Sequence, residues 1–291
     1  MPPFVDDEIA SQPRVWREAA ALAATAGDAL PRPGERVALV GCGTSWFIAM
    51  SGAVVREQAG HGATDAFAGS EFPLGRTYDR VVAISRSGTT TEIIELLGAL
   101  EGTPTTLVTA VPDSPAAALA TDVVAMPFAD ERSVVQTRFA TSALSLLRAA
   151  AGHDLDPVVA DAGRALTLDL AGLVDADQCT FIGRGWCVGL ANEAALKTRE
   201  AAQFWAESYP AMDYRHGPVA IAQPGRLVWS LGSAPEGLAE QVEQTGATFV
   251  HHDLDPQAAL VVAQRFAVAV AKGRGLDPDQ PRSLTRSVIL A

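Results

Sequence analysis

Residues 85–91 concentrate hydroxyl side chains and read Ser-Arg-Ser-Gly-Thr-Thr-Thr. The short apolar, β-branched run at residues 81–85 predicts a buried strand, and Glu92 begins an apolar helical pattern. A turn between a strand and a helix presents free backbone N–H groups, and the helix dipole favours an anion there. Gly88 lets the backbone approach a ligand closely. We therefore expect this loop to hold the phosphate of a sugar phosphate.

Helix capping is the alternative function of these hydroxyls, because Ser and Thr are preferred at a helix N-cap. One cap residue meets that need, whereas the loop carries five hydroxyls. The loop by itself leaves phosphate binding and plain capping both open.

Residues 192–200, NEAALKTRE, form a predicted helix on which Glu193, Lys197 and Glu200 share one face. Two carboxylates beside an ammonium group are also typical of a solvated surface. The other residues of the segment are mostly Ala and Leu, which favours burial of the helix. A carboxylate partly buried beside a lysine is suited to act as a general base.

His216 lies in the segment Tyr-Arg-His-Gly-Pro at residues 214–218. A lone histidine is more often structural than catalytic. Its position in a turn and its titration near neutral pH nevertheless suit proton transfer.

Strands alternate with helices along the chain, which predicts an α/β fold with doubly wound parallel sheets. A second turn with glycines and hydroxyls, Gly-Cys-Gly-Thr-Ser at residues 41–45, follows the predicted strand at residues 37–40. It is not a dinucleotide-binding fingerprint, because Trp46 stands at the third glycine position. Ligands of such sheets bind beyond the carboxyl ends of the strands, so both turns are expected to share one site.

The sequence repeats itself, since residues 37–43, 80–85 and 105–110 align with residues 179–185, 225–230 and 247–252. The hydroxyl run is missing after Ser230. A capping requirement would have been duplicated with the fold, so its loss favours phosphate binding in the first half. The predicted organisation is given by residue ranges: an irregular arm and a helix over 1–34, α/β domains over 35–150 and 175–278, a linker helix over 151–174, and a packed tail over 279–291.

The net charge is −12, from 34 acidic and 22 basic residues. An acidic chain without a Lys/Arg cluster is a poor candidate for nucleic acid or an anionic membrane. The N-terminus does not resemble a signal peptide, and no apolar run reaches the roughly 18 residues of a membrane span. The cysteines fit a reduced cytoplasmic protein and lack the spacing of a zinc site. They are Cys42, Cys179 and Cys187.

Six motifs resemble, in order, those of sugar isomerase (SIS) domain proteins, specifically the two-domain isomerase module of the glutamine–fructose-6-phosphate aminotransferases. The resemblance covers nearly the whole chain and implies two tandem SIS domains. The motifs are Gly43-Thr44-Ser45, Ser70-Glu71-Phe72, Ser85-x-Ser87-Gly88-x-Thr90, Glu193-x-Ala195-Leu196-Lys197-x-x-Glu200, His216-Gly217-Pro218 and Gln280-Pro281-Arg282-x-Leu284.

The resemblance implies a role for each matching residue. Glu200 is implied as the base that moves a proton between C1 and C2 of the open-chain sugar, with Glu193 and Lys197 as its supporting charges. His216 is implied to open the sugar ring from the neighbouring subunit of a homodimer. No metal and no cofactor are implied. The implied substrate-binding residues are Gly43, Thr44, Ser45, Ser85, Arg86, Ser87, Thr90, Val134, Gln136 and Arg286.

The chain departs from the synthase pattern at several positions. It begins Met-Pro-Pro, without the glutaminase domain and its N-terminal cysteine, so glutamine-derived ammonia is not expected. Arg286 replaces a lysine that forms an imine, and arginine is a poor imine former. Arg86 replaces a glutamine and adds a charged phosphate donor. Gln136 replaces a serine, which predicts an altered choice of sugar.

The predicted function is that of a phosphosugar aldose–ketose isomerase, acting as an isomerising deaminase on a glucosamine-6-phosphate-like substrate. A deglycase for fructosamine-type sugar phosphates is the enzymatic alternative. A non-catalytic sugar-phosphate-binding protein is the second alternative. Retention of Glu200 and His216, without a DNA-binding extension, favours an enzyme.

Overall fold

The computed structural model describes residues 3–290, which belong to two compact units. The first-sheet unit consists of Arg14–Glu131, Gln136–Asp156 and Thr285–Ala291. The second-sheet unit consists of Met1–Pro13, Arg132–Val135 and Pro157–Leu284. Both units therefore combine segments that are distant in the sequence.

The first-sheet unit contains a five-stranded parallel sheet with the strand order β2-β1-β3-β4-β5. Strands β1, β3 and β4 are buried along their whole length, as expected for central strands covered on both faces. The strands lie at Val37–Gly41, Thr64–Ala68, Arg80–Ile84, Thr105–Thr109 and Asp122–Ala125.

The second-sheet unit contains a four-stranded parallel sheet with the strand order β7-β6-β8-β9. The sequence repeat pairs β1 with β6, β3 with β8 and β4 with β9, and the members of each pair occupy matching positions in their sheets. The strands β6 to β9 lie at Gln178–Gly183, Ala206–Pro210, Arg226–Leu231 and Thr248–His251.

Helices flank the two sheets, and within residues 3–290 no helix is long and apolar enough to cross a membrane. The turn after β1 and the turn after β6 each contain a left-handed glycine, Gly43 at φ 54° and Gly185 at φ 58°. The α-helices α1 to α9 lie at Phe4–Ala10, Gln12–Thr25, Thr44–Gln58, Thr91–Ala99, Arg138–Ala150, Asp156–Ala165, Cys187–Ala202, Leu238–Glu243 and Pro256–Gly273.

Some local expectations were wrong. The N-terminal segment is not an irregular arm but contains helix α1, because the carboxylate of Asp279 accepts hydrogen bonds from the N–H groups of Phe4 and Val5. The linker helix α6 is shorter than expected and ends at Ala165. The apolar side chains that end the described chain are exposed, although backbone hydrogen bonds hold this segment.

Candidate active site

The two hydroxyl turns leave neighbouring strands of the first sheet at the same edge. Strands β1 and β3 are parallel, and Gly41 pairs with Ile84 at their carboxyl ends. Helix α3 begins directly at Thr44, and both Thr44 and Ser45 are buried in the turn. The structure thus brings residues 43–45 and 85–90 to one edge of the sheet, as the sequence predicted.

Residues 85–91, which we call the hydroxyl loop, are held in shape by hydrogen bonds within the loop. Oγ of Ser85 accepts a hydrogen bond from the N–H of Gly88 at 3.2 Å. Oγ of Ser87 accepts from the N–H of Thr89 at 3.2 Å and from its hydroxyl at 2.9 Å. Gly88 has φ +62°, and an added Cβ would lie 1.9 Å from Oγ of Ser114. Only glycine fits this position without strain.

Simple capping does not account for these hydroxyls. Thr90 is the N-cap residue of α4, and its side chain makes no capping hydrogen bond with the described residues. The hydroxyls of Ser85 and Ser87 instead fix the loop ahead of the helix.

Arg86 lies inside the protein, although we expected it to act as a charged phosphate donor. Its guanidinium Nη1 is 3.8 Å from Oε2 of the fully buried Glu131, and its Nη2 donates to the carbonyl of Arg286 at 2.9 Å. The carboxylate of Glu131 also accepts the N–H groups of Thr137 and Arg138, at 2.6 Å and 2.9 Å. Arg86 therefore connects the hydroxyl loop with the start of α5 and with the C-terminal segment.

The C-terminal segment, residues 285–290, is hydrogen-bonded to the hydroxyl loop. The carbonyl of Val288 accepts the N–H of Thr91 at 3.1 Å, and the hydroxyls of Ser287 and Thr89 lie at hydrogen-bond distance, 2.9 Å apart. The guanidinium of Arg286 pairs with the carboxylate of Asp130 and donates to the carbonyl of Glu131. Arg286 is thus held beside the loop as an ion-paired anchor of this segment.

Gln136 and Val134, the remaining predicted sugar contacts, belong to different units. Oε1 of Gln136 is buried and has no hydrogen-bond partner among the described residues. An unsatisfied buried acceptor is costly, so a ligand hydroxyl at this oxygen would be stabilising. The N–H of Val134 donates to the carbonyl of Asp279 at 3.2 Å.

Cys42 lies in the first of the two turns. Burial, together with the nearby Glu92 carboxylate, raises the pKa of its thiol to about 11. The thiol is therefore protonated at neutral pH and is a poor nucleophile.

The charged face of α7 is buried, so the alternative of a solvated surface does not apply. Glu193 and Lys197 are at most 1% exposed. Nζ of Lys197 lies 2.5 Å from Oε2 of Glu200 and 3.6 Å from Oε1 of Glu193. Glu200 is less buried, and it lines a groove of about 440 Å³. This arrangement holds one carboxylate in a fixed position where a ligand can reach it.

His216 lies at the end of the short 3₁₀ helix Asp213–His216 and is exposed, while Tyr214 anchors that helix in the core. Burial raises the pKa of Tyr214 to about 12, so its phenol stays protonated. His216 is therefore presented on the surface of the second-sheet unit.

The sequence reasoning missed Glu131 and Asp130, which hold Arg86 and Arg286. A carboxylate six residues before Thr137, at the start of α5, was the available signal for Glu131, because such groups favour helix N-termini. Arg199 and Arg282, which line the same groove as Glu200, were also missed. They lie on segments far apart in sequence, so no spacing pattern marks them.

The fold is that of an α/β protein with two parallel sheets, and two hydroxyl-bearing turns lie at one edge of the first sheet. No protein-family model matches the chain. The glutamine–fructose-6-phosphate aminotransferase of Gloeobacter violaceus is 28% identical over 314 residues, a match that covers 87% of this chain and 52% of the relative. The chain thus spans about half the length of the curated relatives it matches.

Two solved structures extend this comparison. A glucosamine-6-phosphate deaminase from Thermotoga maritima is 25% identical, with a TM-score of 0.79 and coverage of 99% of this chain and 100% of that one. The C-terminal domain of the aminotransferase from Francisella tularensis is 22% identical, with a TM-score of 0.81 and coverage of 97% and 99%. The chain is therefore homologous to the isomerase domain of the aminotransferases and has the phosphosugar isomerase fold, as the motifs predicted.

Proposed function

We propose that this protein is a phosphosugar aldose–ketose isomerase that releases the nitrogen of an amino-sugar phosphate, with each sheet belonging to one SIS domain. The observation that carries the proposal is the buried Lys197 ammonium ion-paired with Glu200 on an accessible groove. The similarity to the Thermotoga deaminase, which extends over that whole chain, supports this reaction over a simple isomerisation.

In the binding step, the hydroxyl loop takes the phosphate of the sugar. The serine and threonine hydroxyls supply neutral donors, and the helix dipoles favour an anion at the starts of α3 and α4. Local donors are needed because the chain as a whole is acidic, with a net charge of −12. Gln136 accepts a hydroxyl of the sugar at its unsatisfied Oε1. The proposed phosphate-binding residues are Gly43, Thr44, Ser45, Ser85, Arg86, Ser87 and Thr90.

In the chemical step, Glu200 removes the proton from C2 of the open-chain aldose, and a proton is returned to C1. The product carries an imine at C2, which one water molecule hydrolyses to the ketose phosphate and ammonia. Lys197 keeps Glu200 oriented, because its Nζ is ion-paired with Oε2 of that carboxylate at 2.5 Å. The partner subunit's His216 exchanges a proton with the ring oxygen to open the sugar.

The test is incubation with glucosamine 6-phosphate, followed by assays of ammonia and fructose 6-phosphate. We expect both products in equal amounts from the wild-type protein and neither from Glu200→Gln. Binding of the sugar phosphate without any product in the wild type would instead favour a non-catalytic binding protein.

A further inference from the structure

The second sheet carries a cavity at the carboxyl ends of β8 and β9, which we call the β8–β9 cavity. Its volume is about 480 Å³, which lies within the usual size range of small-molecule sites. All of its lining residues belong to the second-sheet unit. They are Gly232, Ser233, Ala234, Phe249, His251, His252, Asp253, Leu254 and Pro256.

The β8–β9 cavity occupies the position in the second sheet that the hydroxyl loop occupies in the first. By the sequence repeat, β8 and β9 correspond to β3 and β4, and Ser230 pairs with His251 where the two strands end. Parallel α/β sheets bind their ligands beyond the carboxyl ends of the strands. The duplicated half of the fold therefore has a cavity of its own at a position that suits a ligand.

Close packing around Gly232 fixes one wall of the cavity. Gly232 has φ +80°, and an added Cβ would lie 2.9 Å from Sγ of Cys187 and 3.2 Å from Cγ of Pro256. Cys187 begins α7 and Pro256 begins α9, so the turn after β8 rests against the starts of both helices. Glycine permits this approach, and the cavity is shaped by the fold itself.

The chemistry of the lining does not suit a phosphate. The cavity is lined by no lysine or arginine, and Asp253 contributes a carboxylate. The start of α9 is already capped, because Oδ1 of Asp255 accepts the N–H of Gln257 at 2.9 Å. The turn after β8 offers the single hydroxyl of Ser233 in place of the five hydroxyls of the first sheet. An anion would therefore meet a carboxylate without a lysine or arginine to offset it.

Two polar side chains of the lining lack partners within the described part of the chain. Nε2 of His252 is buried without a hydrogen bond. Burial lowers the pKa of His252, so its imidazole is neutral at pH 7 and Nε2 can pair with a hydroxyl. The carboxylate of Asp253 makes no hydrogen bond or ion pair with residues 3–290. A ligand with hydroxyl groups would satisfy both side chains.

The remaining lining offers flat and apolar surfaces. Phe249 and His251 lie two residues apart on β9, so their rings are on the same face of the strand. Leu254 and Pro256 add aliphatic carbon. Ring faces beside hydroxyl acceptors suit a ligand that combines C–H surfaces with several hydroxyls.

We infer that the β8–β9 cavity is a second binding site, which takes a neutral, unphosphorylated monosaccharide. Hydroxyls of the sugar donate to the carboxylate of Asp253, and another hydroxyl pairs with Nε2 of His252. A C–H face of the sugar packs against the rings of Phe249 and His251. The inference goes beyond the proposed reaction, because none of the residues proposed for catalysis or phosphate binding takes part in it.

The experiment titrates the full chain with glucose, galactose and fructose, and heteronuclear NMR follows the imidazole nitrogen signals. The chain has five histidines, so the signals lost in His252→Gln or in His252→Phe identify those of His252. We expect at least one hexose to shift Nε2 of His252 saturably, with a Kd of about 1 mM. The 6-phosphate of that hexose should shift it less.

A matched pair of variants shows whether the carboxylate holds the sugar. Asp253→Asn should weaken the binding of the hexose at His252 by about tenfold or more, as for the loss of one charge-assisted hydrogen bond. Asp175→Asn, at an exposed position before β6, is the control and should leave the binding unchanged.

Each outcome decides the inference. A saturable shift at His252 that is weakened in Asp253→Asn and kept in Asp175→Asn supports it. The inference is overturned if none of the three hexoses shifts the signal at about 50 mM, if Asp253→Asn leaves the binding unchanged, or if the hexose 6-phosphate binds there as tightly as the hexose. Ammonia release from glucosamine 6-phosphate is a separate assay, so the proposed function and this inference can fail independently.

Discussion

Nζ of Lys197 lies 2.5 Å from Oε2 of Glu200, on a helix face whose other carboxylate, Glu193, is fully buried. A buried ammonium between two carboxylates fixes the position of both. Of the three, Glu200 alone lines the groove that Arg199 and Arg282 also line, so the proposed base is the member of the cluster that a ligand can reach.

Glu200→Gln is expected to remove turnover and leave binding largely intact. Glutamine has the same shape but cannot accept a proton, so the loss should be about 100-fold to 10,000-fold in kcat. Ammonia release measures turnover, and calorimetry measures sugar-phosphate binding. Glu243→Gln, on an exposed position of α8, is the matched control and should behave as wild type. An unchanged rate in Glu200→Gln would show that another residue is the base.

Lys197→Met is expected to lower the free energy of unfolding by about 3–5 kcal/mol, because it removes the ammonium that is ion-paired with the buried carboxylate of Glu193. Methionine retains most of the side-chain volume, so packing contributes little to the loss. The double variant Lys197→Met, Glu193→Gln also removes the charge of the buried Glu193 carboxylate and should recover part of the stability. Urea denaturation of the three proteins measures this. No recovery in the double variant would contradict the ion-pair explanation.

Much of the fold could be predicted because its central strands are buried on both faces. Strands β1 and β3 are continuous apolar runs that end in glycine- or hydroxyl-rich turns, so their position and the shared sheet edge followed from local sequence. The face of α7 could be predicted for the same reason, since helical spacing alone brings Glu193, Lys197 and Glu200 together.

Contacts between distant segments could not be predicted. Helix α1 depends on Asp279, more than 270 residues away, and Arg86 depends on Glu131 and on a carbonyl near the C-terminus. Nothing in the spacing of these residues marks such pairs. The groove beside Glu200 is of the same kind, because Arg199 and Arg282, which line it, come together only in the folded chain.

Gly88→Ala is expected to destabilise the hydroxyl loop by about 1–3 kcal/mol, because φ +62° and the 1.9 Å approach to Ser114 leave no space for a methyl group. Affinity for the sugar phosphate should fall with it. Gly98→Ala on α4 is the matched control, since nothing lies within 4 Å of its added Cβ. It should raise helix stability by up to about 1 kcal/mol. Thermal unfolding and calorimetry check both variants, and similar behaviour of the two would contradict the prediction.

His252 is expected to make stability fall at acid pH. Burial is the main reason why the pKa of His252 is below its ordinary value of 6.5, and the nearby His251 lowers it further. The folded state therefore binds fewer protons than the unfolded state, so this stability is present above pH 6.5 and is lost as the pH falls through the folded pKa. Tm measured from pH 7.5 to pH 5 should fall less in His252→Phe, which keeps the ring contact with Trp229. If Tm falls equally with pH in the wild type and in His252→Phe, the prediction is wrong.

Arg86→Ala is expected to weaken binding of phosphorylated sugars more than that of their unphosphorylated counterparts, because it removes the positive charge of the proposed phosphate-binding loop. The variant also breaks the buried contact with Glu131 and the bond to the carbonyl of Arg286. Arg286→Ala is the matched variant, because it releases the anchor at Asp130 and leaves Arg86 beside Glu131. Calorimetry with fructose 6-phosphate and fructose measures the difference. If Arg86→Ala weakens both ligands equally, as Arg286→Ala is expected to do, Arg86 holds the C-terminal segment and is not a phosphate ligand.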